Sequence, residues 1–185
     1  MIDNFELLRE VLSWDDIDGC FYPISIIQRS KDGHPFSQRI LDHFYVDSLE
    51  KFNVLEQQIK DICIENNART YINPGPKSKE RVASILLKRL ADRFGSKNFE
   101  GLHKLYPSCV GECPQERKVW VLDCDTQEEL DSVRLDLRGH DISYVVIPTQ
   151  SAGHILVHPF DVRDFKSLNG KDIIKKNALT LLFKS

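Results

Sequence analysis

The sequence predicts an α+β fold of two lobes, the second built like half of a ferredoxin-like or RNA-recognition (RRM) sandwich. Three observations carry that prediction. Apolar runs with two-residue alternation are interleaved with long helical stripes. The run Val119-Trp120-Val121-Leu122 ends in Asp123-Cys124-Asp125, as a buried strand reaching a sheet end would. From there the order reads strand, helix, strand, strand, then a helix-strand tail. A chain of 185 residues fits one domain over 1–185, with a first lobe over about 1–95 and a second over about 117–185.

In chain order, Phe5, Leu7, Leu8, Val11 and Leu12 form a helical stripe. Phe21–Ile27 reads as a strand, placed at an edge or a strand start by Pro23. Lys31-Asp32-Gly33-His34-Pro35 is a hairpin loop, and 40–46 returns as a strand. A helix opens after Asp47 or Ser48 with the stripe Leu49, Phe52, Leu55, Ile59, Ile62, Cys63 and ends at Asn66-Asn67. Ala68–Ile72 is a short strand. Ser78–Phe94 is a second long helix, with Gly95 as its stop signal. Residues 96–118 read as one short helix and a loop. The second lobe then runs strand, helix Thr126–Leu137, strand Ile142–Ile147, turn, strand His154–His158, a turn of helix near Asp161–Phe165, a helix Lys171–Asn177 and a last strand Leu179–Phe183.

Composition bounds the function. Hydrophobic residues make up 41% and charged residues 29%, as in ordinary globular domains. No run approaches the roughly 18 apolar residues of a membrane span, so no membrane partner is expected. Met1-Ile2-Asp3-Asn4-Phe5-Glu6 has no basic region leading into an apolar one, which predicts a cytoplasmic location. The net charge of -3 gives no global attraction to nucleic acid, so any such binding needs a local basic face. Five scattered cysteines argue against a disulfide framework. Cys109-x3-Cys113, with His103 and Cys124, lacks the two close pairs of a strong zinc signature, and no structural zinc is expected. Nothing in the sequence indicates an oligomeric state.

The chemistry is concentrated after residue 117. Asp123 and Asp125 alternate on a strand and so share a face, where two hard oxygen ligands would suit a divalent cation. The competing explanation makes Asp125 the N-cap of the following helix. Thr149-Gln150-Ser151-Ala152-Gly153 feeds His154 into a strand; Ser151 offers a hydroxyl to a phosphate, and Gly153 permits close backbone approach. His158 shares the face of His154. In the first lobe Arg29, Lys31, Arg39, Arg69, Lys77, Lys79 and Arg81 cluster, and the two strand arginines, Arg29 and Arg69, are the candidates for a template backbone or a triphosphate. Lys166, away from that cluster, is expected to contribute nothing to such binding. There is no P-loop, dinucleotide fingerprint or nucleophile elbow.

Asp-x-Asp on a strand end, followed by a Ser-and-Gly turn into a strand His, resembles the motif order of the archaeo-eukaryotic primase superfamily of primase-polymerases. The resemblance covers mainly residues 117–165. It implies a metal-dependent nucleotidyltransferase: Asp123 and Asp125 binding Mg2+ or Mn2+, Ser151, Gly153 and His154 contacting the incoming nucleotide, and Asp161 of Phe160-Asp161 completing the metal site. Catalytic roles would fall to Asp123, Asp125 and His154, and nucleotide or template contacts to Arg29 and Arg69. The implied partners are nucleoside triphosphates and nucleic acid, single-stranded or template-primer, in DNA replication; proteins of this size and look also occur in phages and mobile elements. The second motif departs from the usual form, with Ser-x-x-His one residue longer. Two other functions fit the same residues: a degenerate primase-like module that binds nucleic acid or nucleotide without catalysis, and a metal-dependent nuclease with His154 as base.

Overall fold

The computed structural model describes residues 1–15, 17–165, 167–168 and 172–185. The chain begins with β1 (Ile2–Asp3) and α1 (Phe5–Val11), then the hairpin β2 (Cys20–Arg29) and β3 (Gln38–Val46). Helix α2 (Leu49–Asn66) starts where the Ser48 side chain accepts from the Lys51 N–H at 3.1 Å and stops at Asn67 in the left-handed region. Strands β4 (Arg69–Ile72) and β5 (Lys77–Ser78) lead into α3 (Lys79–Ser96), capped by Ser78. Gly95, expected as the stop signal, lies inside that helix, and Lys97 at φ 53° ends it. The short helix expected within 96–118 is α4 (Leu105–Glu112).

The second lobe follows as β6 (Trp120–Cys124), α5 (Gln127–Gly139), β7 (Tyr144–Pro148), β8 (Gly153–Val157) and β9 (Ile174–Lys176). Its antiparallel sheet has the order β7-β8-β6-β9. This is the strand order of a ferredoxin-like sandwich with one helix, α5, on its face. The residues expected as a helix from Lys171 to Asn177 are different. Residue 171 lies outside the described residues, and Ile174–Lys176 is a strand paired with Trp120–Leu122.

The last strand, β10 (Thr180–Lys184), does not stay in the second lobe, where the sequence placed it. It crosses to the first sheet, whose order is β1-β10-β4-β2-β3 with β5 on β2. Strand β2 is therefore central, and Pro23 is not at an edge. Its carbonyl accepts from the Asn73 N–H at 3.0 Å on the side where β4 pairs from Ile24 and β5 pairs up to Phe21. The missing N–H thus falls in the gap between two ladders, where it costs nothing.

Two apolar clusters hold the lobes. One joins α1, α2 and both sheets through Phe5, Leu8, Ile24, Phe52, Ile59, Leu182, Val121, Ile147 and Leu156. The other packs α5 (Leu130, Val133, Leu137) on the far face of the second sheet against Leu122, Cys124, Ile155 and Val157. At the seam, buried Asn4 donates to the carbonyls of Pro148 and Leu181, both at 3.0 Å, stitching β7 to β10. No helix among the described residues is long and apolar enough to cross a membrane.

A buried polar cluster fixes the crossover into β10. Lys77, 1% exposed, donates to the Cys113 carbonyl and to Asn177 Oδ1. Asn73 donates to Asn177 Oδ1 at 3.2 Å and accepts from Gln115 at 2.6 Å. Burial pushes the Lys77 amine down to about 8 from 10.5. In that window the unfolded chain binds more protons than the folded one, so the contribution of Lys77 to stability rises with pH. The difference in unfolding free energy between wild type and Lys77→Met is expected to move in favour of wild type between pH 8 and pH 10.5. Denaturant melts across that range check it; a flat difference would show that the amine is not desolvated.

Candidate functional site

Strand alternation and register bring the predicted pair together. Asp123 on β6 lies directly opposite His154 on β8, and the His154 Nε2 to Asp123 Oδ1 distance is 3.3 Å. The other ring nitrogen, Nδ1, is 3.0 Å from Thr180 Oγ1 on β10. Asp125 stands one strand period further on, exposed, where β6 gives way to α5. It is not the helix cap: Thr126 is, accepting from the Glu129 N–H at 3.2 Å, while Glu129 accepts from the Asp125 N–H at 3.1 Å. This reciprocal cap leaves the Asp125 carboxylate without a hydrogen bond or ion pair among the described residues.

Both carboxylates and His154 line one cleft of about 670 Å³ at the seam of the two sheets. The second lobe also contributes Thr149, Gln150 and Ser151. Within that turn Thr149 Oγ1 accepts from the Ala152 N–H at 3.3 Å, which leaves Ser151 exposed. The first lobe contributes Arg29, Lys31, Gln38 and Arg69 over a floor of Ile27, Tyr71, Leu179 and Leu181. The hydrogen bond from His154 holds the Asp123 carboxyl below the usual carboxylate range, against burial, with the charges of His154, Lys175 and Lys31 adding.

Two predicted residues are placed otherwise than expected. Gly153 is buried and faces away from the cleft: it pairs with Cys124, and a Cβ there would meet Val146 Cγ1 at 3.2 Å and Leu130 Cδ2 at 3.4 Å. It is small for packing against β7 and α5, not for a ligand. Asp161 does not line the cleft; it is exposed and its carboxylate chelates Arg163. Among the described residues no group of three or more His, Cys, Asp or Glu side chains is placed to hold a metal.

Arg69 is at the cleft but already committed. Its guanidinium binds Asp32 through two donors, Nε at 2.6 Å and Nη2, and Lys184 reaches the same carboxylate at 3.3 Å. The Arg69 and Asp32 side chains are only 7% and 3% exposed. Burial pushes the Asp32 carboxyl up, but the hydrogen bonds and charges of Arg69 and Lys184 outweigh it and hold the group below its ordinary value. Arg29, half-buried, donates to the Tyr71 hydroxyl at 3.2 Å and keeps further donors. Lys166 lies outside the described residues. Cys109 on α4 and Cys113 at the C-cap of that helix are both buried, and burial pushes both thiols up.

Sequence reasoning missed Asp32, Tyr71, Gln38, Thr180 and Lys184. Asp32 reads as a turn residue, and Thr180 sits in a run that gives no hint of which sheet it enters. Comparisons of the chain with protein-family models, with curated proteins and with solved structures found no match.

Removing the Asp32 charge strands Arg69 in a nearly closed site. Asp32→Asn is expected to lower stability by about 3–5 kcal/mol, and the Asp32→Asn/Arg69→Met double variant by clearly less than the sum of the singles. The Asp32 contribution is full above pH 3.8, its ordinary value, and is lost as acid takes the pH through the lower folded-state value. Denaturant melts of the four proteins test this; additive losses would mean that the pair does not act as a unit.

Proposed function

We propose that this chain binds the phosphates of nucleoside triphosphates or of a single nucleic-acid strand in the seam cleft. Asp123 and Asp125 would hold Mg2+ or Mn2+ as the bridge to those phosphates. The observation that carries the reading is the Asp123–His154 contact lying across one cleft from Arg29 and Lys31 of the other sheet. A cleft lined by two carboxylates and two uncommitted cations suits an anion that arrives with a divalent ion, because each wall then meets the opposite charge.

The donor set fits such a cation in a limited way. Two carboxylates are too few for a protein-only cage, but Mg2+ is commonly held by one or two carboxylates together with substrate phosphates and retained water. Bound there, the ion would supply neutralisation of phosphate charge. The chain's own residues do the rest. Arg29 at the end of β2 and Lys31 in the turn after it offer N–H donors, and Ser151 offers a hydroxyl from the β7–β8 turn. The floor of Ile27, Tyr71 and Leu181 limits how deep a ligand can sit.

Primase-type synthesis is the second reading, and the residues support it less. Two-metal phosphoryl transfer needs a further carboxylate, and Asp161, the candidate for it, is away from the cleft and paired with Arg163. The nuclease reading is weaker again, because a general base needs a free ring nitrogen and both nitrogens of His154 are engaged.

Fluorescence anisotropy with labelled ATP and a labelled single-stranded oligonucleotide tests the proposal. Mn2+ should strengthen binding, and Asp123→Asn/Asp125→Asn should remove that gain. Arg29→Ala should weaken binding roughly tenfold, and affinity should fall steeply with salt. Binding indifferent to Mn2+ and to Arg29→Ala would contradict the reading. Primer extension that depends on Asp123 and Asp125 would promote the chain to a polymerase.

A further inference from the structure

Thr180 is an oddity in its strand. It is fully buried, begins β10 and is followed by Leu181-Leu182-Phe183. Valine would fill the same volume in a strand without bringing a hydroxyl that must be satisfied. The one hydrogen bond of that side chain among the described residues is to His154 Nδ1, at 3.0 Å, across the seam between the sheets. On the other side of the ring, Nε2 faces Asp123 Oδ1 at 3.3 Å.

With the ring neutral, the chemistry of the three groups sets the direction of both contacts. An ionised carboxylate only accepts, so the proton between His154 and Asp123 belongs to Nε2. A neutral imidazole with its proton on Nε2 has a bare lone pair at Nδ1. Thr180 must then be the donor to it. The order is Thr180 O–H to Nδ1, and Nε2–H to Asp123.

We infer that Thr180 is a positioning residue of the cleft: from the opposite sheet its hydroxyl donates to Nδ1 and fixes the orientation of the His154 ring, whose Nε2–H in turn holds one oxygen of Asp123 and leaves the other facing a ligand. His154 then acts as an outer support of a carboxylate rather than as a direct contact to a nucleotide. Partners of this kind, one bond removed from a ligating group, typically change metal affinity 10–100-fold when lost. The placement also couples the lobes, because a first-sheet residue sets the orientation of a second-sheet site.

The test uses the full chain with Thr180→Val, which removes the hydroxyl at nearly constant volume, and Thr180→Ser, which keeps it. Two-bond 1H–15N spectra of the His154 ring in its neutral form report the tautomer with no ligand present. Wild type and Thr180→Ser should show the proton on Nε2 and an Nδ1 resonance shifted by an accepted hydrogen bond, and Thr180→Val should keep the Nε2 proton but lose that shift. Mn2+ affinity, read by electron paramagnetic resonance of the free ion, should drop 10–100-fold in Thr180→Val and recover in Thr180→Ser. The affinity arm rests on the proposed metal site, and the tautomer arm does not. Absence of Mn2+ binding by wild type would therefore sink the site while the spectra still judged Thr180. A wild-type ring protonated on Nδ1, or a Thr180→Val protein with an unchanged Nδ1 shift, would overturn the inference, and the wild-type spectrum decides even if Thr180→Val fails to fold.

Discussion

The return of the last strand into the first sheet is the constraint on which the rest of this molecule depends. The chain completes its second sheet with β9 and turns at Asn177 in the left-handed region. It then inserts β10 between β1 and β4. Ladders on both sides of β10 fix its register, and a one-residue slip would turn every side chain to the wrong face. That register puts Thr180 against His154, Leu179 and Leu181 in the cleft floor, and Lys184 on Asp32. Asn4 adds a second stitch, from β10 to the end of β7. The end of the chain is therefore built into the first sheet, and the two sheets share a core beside the cleft.

Electrostatics divides the cations of the first lobe into two kinds. Arg69 is shielded and paired, and the coupling of its charge to Asp32 in a poorly solvated site is strong enough that a ligand phosphate would have to displace a carboxylate held by two cations. Arg29 and Lys31 line the cleft with less committed charge. Lys31 adjoins Asp32, so the buried pair also anchors the loop that carries Lys31 to the cleft. That loop is held further where Asn67 Nδ2 donates to the Asp32 carbonyl at 2.7 Å. A chain with net charge -3 can in this way present cations locally without being basic as a whole.

Much of the site was legible because strands repeat every two residues. An apolar run ending in Asp123-Cys124-Asp125 must place both carboxylates on the face opposite Cys124, and a turn before Ile155-Leu156-Val157 must deliver His154 beside it. The α+β class and the strand-helix-strand-strand order were legible for the same reason. What was hidden depends on distant partners. Leu179–Phe183 reads alike whichever sheet it joins, and Lys171–Asn177 has too few residues to separate a helical from a strand period. Arg69 looked available because Asp32 lies in a remote turn, and Gly153 looked like a ligand-approach glycine because Val146 and Leu130 are not its sequence neighbours. Thr126, one residue beyond Asp125, took the capping role that left Asp125 free for the cleft.

The proposed function requires residues from both lobes to meet around one cation and its phosphates. Paramagnetic broadening by Mn2+ tests it most directly, through backbone and side-chain resonances of the full chain at low metal occupancy. Broadening should concentrate on Asp123, Asp125, His154 and the 149–151 turn, extend across the seam to Arg29 and Lys31, and be lost in Asp123→Asn/Asp125→Asn. Broadening centred on Asp161 and Arg163, or persisting unchanged in the double variant, would contradict it.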